Sequence, residues 1–134
     1  MTSSASWVPA ELLSKWLLLV SSMAIFNCVQ NYIDFNFSRK VYTKGGASVT
    51  PLSARTFGVW NFTSAIIRGY GAYNIHNKVA YELCMWSFAI ALGHFATEVF
   101  VFKTAKLTPG IISPLIVASS SLISMFALYG QYVR

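Results

Sequence analysis

Four stretches of the chain, at about residues 16–33, 56–73, 79–102 and 111–132, are strongly apolar, and shorter polar segments separate them. Each has roughly the twenty residues that a helix needs to cross a bilayer. The pattern predicts an all-α membrane protein, a four-transmembrane-helix bundle in a single domain over residues 1–134. Residues 34–55 form the longest polar connection, with Lys44-Gly45-Gly46 and Thr50-Pro51 as turn signals. Residues 74–78 and 103–110 are short links, and Pro114 is tolerable in the first turn of the last span. Residues 1–14 are polar, with an amphipathic stretch at 7–13. The first half of the first span imitates a signal-peptide core. No small-residue cleavage site follows it, so it reads as a retained span.

Polar residues inside the spans are ordered. At 100° per residue, positions seven or eleven apart nearly superimpose on a helix. The first span aligns Asn27, Asn31 and Asp34, with Gln30 at the edge. The second aligns Asn61, Ser64 and Arg68, and the third Ser87, Ala91, His94 and Glu98. The fourth aligns Ser113, Ser120, Ser124 and Gln131. Polar groups are costly in hydrocarbon, so these stripes are expected to face protein. The pairs Ala65/Gly69, Ala89/Gly93 and Ser120/Ser124 have the spacing of close helix packing. A polar cavity or a docking face for another membrane protein is the sharper alternative.

Composition agrees with lipid as the solvent. Of 134 residues, 55% are hydrophobic and 10% charged, against about 25% charged in a soluble domain. The net charge of +6 does not form a nucleic-acid footprint, because the Lys and Arg residues are dispersed. Arg39, Lys40, Lys44, Arg55, Lys103 and Lys106 fall in the two odd-numbered links, and only Lys15, Lys78 and Arg134 on the other side. That asymmetry predicts cytosolic odd links and both termini across the membrane. The sequons at Asn36 and Asn61 are then expected to stay unmodified, one beside the membrane and one within it. Trp16, Tyr32, Tyr70, Tyr73, Tyr81, Tyr129 and Tyr132 lie near expected interfaces, where amphipathic rings are well placed.

Arg68 is the most informative charge. A lone Arg near mid-span costs about 2.5–3.5 kcal/mol on insertion scales. It lies roughly 5 Å from the expected bilayer centre at 1.5 Å per residue. Glu82 is its best depth match, whereas Glu98 is better matched to Arg55, Lys103 or Lys106. His94 and Glu98 are one turn apart, but two ligands do not make a metal site. Cys28 and Cys84 sit in apolar segments without metal-ligand spacing and read as buried thiols. No nucleophile-elbow or glycine-rich phosphate motif occurs. No catalytic, cofactor-binding or metal-binding residue is therefore expected.

Several blocks carry a family resemblance. Leu52-Ser53-Ala54-Arg55-Thr56-Phe57-Gly58-Val59-Trp60 opens the second span, and Ile67-Arg68 follows it. Ile75-His76-Asn77-Lys78, Ala91-Leu92-Gly93-His94-Phe95 with Glu98, and Pro114-Leu115-Ile116-Val117-Ala118-Ser119 complete the set. Together they make the chain resemble the ergosterol biosynthetic protein 28 family over roughly residues 15–124. The resemblance implies a non-catalytic scaffold of the endoplasmic reticulum membrane in sterol biosynthesis. Its implied partners are the sterol C-4 methyl oxidase, the decarboxylating sterol-4-carboxylate 3-dehydrogenase, the 3-keto-steroid reductase and the sterol 24-C-methyltransferase.

Beside that implication, the segment 39–55 and the block Arg55, Thr56, Phe57, Gly58 and Trp60 are the candidate partner contacts. For Phe57 and Trp60, ordinary packing or lipid contact is the competing reading. For the basic residues it is topology and attraction to anionic lipid. The candidate intramembrane polar pairs are drawn from Arg68, Glu82, His94 and Glu98. The alternative function is a sterol-binding or lipid-handling protein that uses the polar stripes. A transporter or channel subunit is weaker, since no internal repeat is evident. Self-association stays open.

Overall fold

The computed structural model describes residues 11–133. Most of the amphipathic stretch expected at 7–13, and Arg134 in the charge count, lie outside them. All regular structure among the described residues is helical: α1 (Leu12–Ile33), α2 (Asn36–Arg39), a 3-10 turn (Gly46–Ser48), α3 (Pro51–Tyr73), α4 (Lys78–Phe100), α5 (Pro109–Ala127) and α6 (Tyr129–Tyr132).

Local chemistry moves several expected boundaries. α3 begins five residues before the expected Thr56. Thr50 Oγ1 accepts from the Ser53 amide at 3.0 Å, and Ser53 Oγ accepts from the Thr50 amide at 2.8 Å. This reciprocal cap, with Pro51 preset for the first turn, starts the helix early. Asn77 caps α4 by accepting from the Ala80 amide. The expected fourth helix breaks at Leu128. Tyr81 Oη donates at 2.7 Å to the Met125 carbonyl, a last-turn acceptor that the ended helix leaves open.

Three helices, α1, α4 and α5, are long and apolar enough to cross a membrane. The chain is thus a multi-pass membrane protein by length and composition. α3, at 23 residues, is long enough to cross, but it carries Arg55, Asn61 and Arg68 and is less apolar than the other three. Of the four expected spans, α1, α4 and α5 are thus supported by both length and hydropathy, and α3 by length alone.

The helices pack in a chain: α1 against α3, α3 against α4, and α4 against α5. The core runs through Leu17, Tyr81, Phe88, Ile111 and Met125, all almost fully buried. Gly58 lets α1 and α3 approach: a Cβ there would lie 3.2 Å from the Cys28 carbonyl oxygen. Polar bonds stitch the same seam. Ser21 donates to the Ala65 carbonyl at 2.6 Å, and Asn61 Nδ2 to Asn27 Oδ1 at 3.0 Å. Trp16 Nε1 ties α1 to α5 through Ser121 Oγ at 2.8 Å.

The stripe on α3 faces protein, with Ser64 and Arg68 buried; on α1 Asn31 is buried and Asn27 half-buried, whereas Asp34, just past the helix end, is exposed. The stripe on α5 does not. Ser113, Ser120 and Gln131 are exposed, and the buried line is Ile111, Ala118, Ser121 and Met125. Ser120 Oγ donates to the Ile116 carbonyl of its own helix at 2.7 Å. A hydroxyl satisfied in this way has no need of a neighbouring helix. Gly93 also fails as a packing position, since its α-carbon faces open space. Among the expected interfacial aromatics, Tyr32, Tyr70 and Tyr73 are exposed, whereas Tyr81 and Tyr132 are buried.

Candidate functional site

The helices bring the connections together at two opposite ends. At one end the α1–α3 link meets the α4–α5 link. The Lys44 amide donates to the Thr104 carbonyl at 2.8 Å, and the Lys106 amide to Thr43 Oγ1 at 3.1 Å. Gly110 lies so close to Lys40 that a Cβ would fall 2.1 Å from the Lys40 carbonyl oxygen. Arg39, Lys40, Lys44, Arg55, Lys103 and Lys106 are all exposed around this joint. Arg39 and Lys40 lie over the rings of Phe35 and Phe37, each 4.8 Å from the centroid. The result is a basic platform made of two laced links.

At the other end, His76 of the α3–α4 link meets both terminal segments. Its Nδ1 is 2.7 Å from the Tyr132 carbonyl oxygen, and its Nε2 is 3.3 Å from Glu11 Oε1. Tyr81 packs edge-on against Tyr129 at 5.6 Å.

Under the basic platform, a cleft of about 480 Å³ opens between α3 and α4. Tyr42 Oη and His94 Nε2 are 2.6 Å apart on its polar side. Glu98 Oε1 accepts from Thr104 Oγ1 at 2.5 Å. Phe57, Trp60 and Ile90 form its apolar wall. The rings are in mutual contact: Tyr42–Phe57 at 5.3 Å, Phe57–Trp60 at 5.7 Å and Trp60–His94 at 5.3 Å. Tyr42 lies in the link. Burial first, and the Glu98 charge second, raise its phenol well above its ordinary value.

A second cavity, of about 350 Å³, runs between the helices from Val41 and Gly110 at the platform past Asn27, Asn61 and Ser64 to Arg68. Arg68 does not pair with Glu82. Its Nε donates to Ser87 Oγ at 3.0 Å and its Nη2 to the Ser87 carbonyl at 3.3 Å. Its guanidinium also covers the Phe88 ring at 4.1 Å. Ser87 lies five residues, about 7.5 Å, further along α4 than Glu82, and it is the residue that meets Arg68. Glu82 instead accepts from the Tyr129 hydroxyl. Glu98 likewise takes Thr104, not Arg55, Lys103 or Lys106, because the chain reverses immediately after α4 and returns Thr104 to it.

Of the candidate partner contacts, Arg55 and Thr56 are exposed and Trp60 is half-buried at the cleft. Phe57 and Gly58 are buried inside this chain, Phe57 among aromatic rings and Gly58 against α1. Both pack within this chain, which is the competing reading given above for Phe57. Tyr42, Thr104 and Tyr129 are the site residues that sequence reasoning missed. None carries a local motif, and each becomes visible only when two distant segments meet. Among the described residues, no group of three or more His, Cys, Asp or Glu side chains gathers as a metal site. Cys28 and Cys84 are free thiols.

Comparison with known proteins gives a consistent result. The family model described as Erg28 like protein matches residues 13–123. Ergosterol biosynthetic protein 28 of Candida albicans is 48% identical over 122 residues, covering 91% of this chain and 88% of the relative. The protein of the same name from Saccharomyces cerevisiae is 42% identical over 120 residues, covering 89% and 81%. The Homo sapiens homolog is 44% identical over 116 residues, covering 86% and 83%. No solved structure matches the chain.

Proposed function

The chain belongs to the Erg28 family, and from that premise we propose that it is a non-catalytic membrane scaffold of sterol biosynthesis. In this reading it gathers the enzymes of sterol C-4 demethylation at the endoplasmic reticulum. Those enzymes are the C-4 methyl oxidase, the decarboxylating sterol-4-carboxylate 3-dehydrogenase and the 3-keto-steroid reductase, with the sterol 24-C-methyltransferase beside them.

The observation that carries the reading is the laced basic platform, in a family whose relatives are named for ergosterol biosynthesis. Two links bonded to each other hold five exposed cations, and Arg55 near the start of α3 adds a sixth. Such a surface docks other proteins at little ordering cost. Sterol intermediates partition into the membrane, so clustering their enzymes raises local concentration without new chemistry. The platform is the cytosolic face in this reading, because it holds the excess of Lys and Arg.

α3 completes a single four-span domain. Its start adjoins the platform and its end adjoins His76 at the opposite pole, so it covers the same distance as α1 and α4. Its polar residues are met by other helices: Asn61 by Asn27, and Arg68 by Ser87. A helix shielded in this way crosses lipid at lower hydropathy than an isolated one.

The test is a mild-detergent pull-down of the full chain with mass spectrometry, beside sterol profiling of a strain that lacks it. Co-purification of the C-4 enzymes with accumulated C-4-methylated sterols is the expected result. Recovery of no sterol enzyme, with an unchanged sterol profile, would overturn it.

A further inference from the structure

We infer that the cleft between α3 and α4 is a lateral binding site for a sterol alcohol. Its polarity is graded along the membrane normal. His94 is six residues from the end of α4 at Phe100, about 9 Å below the platform, and Ile90 is about 6 Å deeper. The polar side, with Tyr42, His94 and Glu98, therefore lies at interfacial depth beside Phe57, and the apolar wall of Trp60 and Ile90 extends inward. This is the orientation that an amphiphile already has in that leaflet.

The polar side has hydrogen-bonding capacity to spare. A phenol oxygen accepts as well as donates. Glu98 uses Oε1 for Thr104, and its Oε2 has no hydrogen-bond partner among the described residues. One incoming hydroxyl can thus donate to Glu98, and it can accept from the Tyr42 hydroxyl in the tautomer where His94 Nε2 carries the proton and donates to Tyr42. The volume of about 480 Å³ is within the range of sites that hold one drug-sized ligand, about 300–1,000 Å³. The wall is aromatic and flat, which favours a rigid ring system. A flexible acyl chain would lose more conformational freedom on the same surface. The choice of a sterol among rigid lipid alcohols rests on the family's place in ergosterol biosynthesis; the cleft and its hydroxyl site do not.

The experiment uses the full chain in phosphatidylcholine nanodiscs and a photoactivatable sterol carrying a free 3-hydroxyl. Label is expected on peptides containing Trp60 and Ile90–His94. Excess unlabelled sterol should remove it, and the sterol methyl ether should compete poorly. Glu98→Leu is expected to lower capture at least about fivefold, and Trp86→Phe, on the exposed side of α4, to leave it unchanged. Ile90→Trp, at an exposed position, fills the cleft without touching the core and should also lower capture. Label spread over all lipid-facing helices, or equal competition by phosphatidylcholine or the methyl ether, would overturn the site. Enzyme pull-down by the same variants separates the two readings: capture that fails while partners still co-purify ends the cleft proposal alone.

Discussion

Arg68 and Ser87 face each other across the α3–α4 seam, with Nε 3.0 Å from the serine oxygen. A second bond, from Nη2, reaches the Ser87 carbonyl at 3.3 Å. An arginine buried in the middle of α3 is thus held by one side chain, one backbone oxygen and the face of Phe88. The arrangement neutralises no charge. It supplies directed acceptors and a ring quadrupole in place of water.

Ser87→Ala should therefore destabilise the purified chain by about 1–3 kcal/mol, because the guanidinium loses an acceptor while buried. Arg68→Lys should cost a similar amount, since an ammonium cannot reproduce the planar fork. Exchanging Arg68 and Glu82 should not restore the protein level lost in either single variant. Thermal unfolding in mild detergent, with protein levels in cells, checks all three. Full rescue by the exchange would restore the ion pair that the geometry replaces.

Gly110 joins the two platform links. A Cβ there would lie 2.1 Å from a backbone oxygen that cannot rotate away. Gly110→Ala should cost more than about 2 kcal/mol or separate the links. Limited proteolysis within residues 39–50 should then rise sharply. If partner docking uses the platform, pull-down of the sterol enzymes should fall in the same variant.

Tyr42 is tied to the α4 helix through His94 at 2.6 Å. Tyr42→Phe should cost about 1 kcal/mol at neutral pH. The alkaline arm has a definite sign. Burial and then Glu98 raise the phenol above its ordinary value of 10.0. The native state therefore holds a proton that the unfolded chain gives up near pH 10, and stability falls as pH climbs past that point. The gap between wild type and Tyr42→Phe should narrow above pH 10. Unfolding midpoints measured from pH 7 to 11 show whether it does.

Asn61 Nδ2 donates a hydrogen bond to Asn27 Oδ1 across the α1–α3 seam at 3.0 Å. A double-mutant cycle with Asn27→Leu and Asn61→Leu should give a coupling of about 0.6–1.7 kcal/mol, the span found for interhelical bonds in membranes. A coupling near zero would mean that each amide is satisfied within its own helix.

The sequence alone determined the solvent, the helical class and the four long elements. Backbone groups in hydrocarbon must be satisfied within a segment, so a run of about twenty apolar residues leaves few alternatives. It also marked Asn31, Ser64 and Arg68 as inward-facing, because their spacing matches the helical period and the cost of misplacing them is high. Its blocks 52–60 and 91–98 identified the family. What the tertiary structure decided was partnership. Arg68 takes Ser87, Glu98 takes Thr104, and Ser120 bonds its own helix. Depth along a helix and the sign of a charge narrow the choice of partner. The final choice depends on rotation about the helix axis and on where a link returns. Those are set by the packing of glycines such as Gly58 and Gly110 against backbone far away in the chain. The second long helix shows both limits at once: its polar residues lowered its hydropathy, and only the helices around it show how those residues are satisfied.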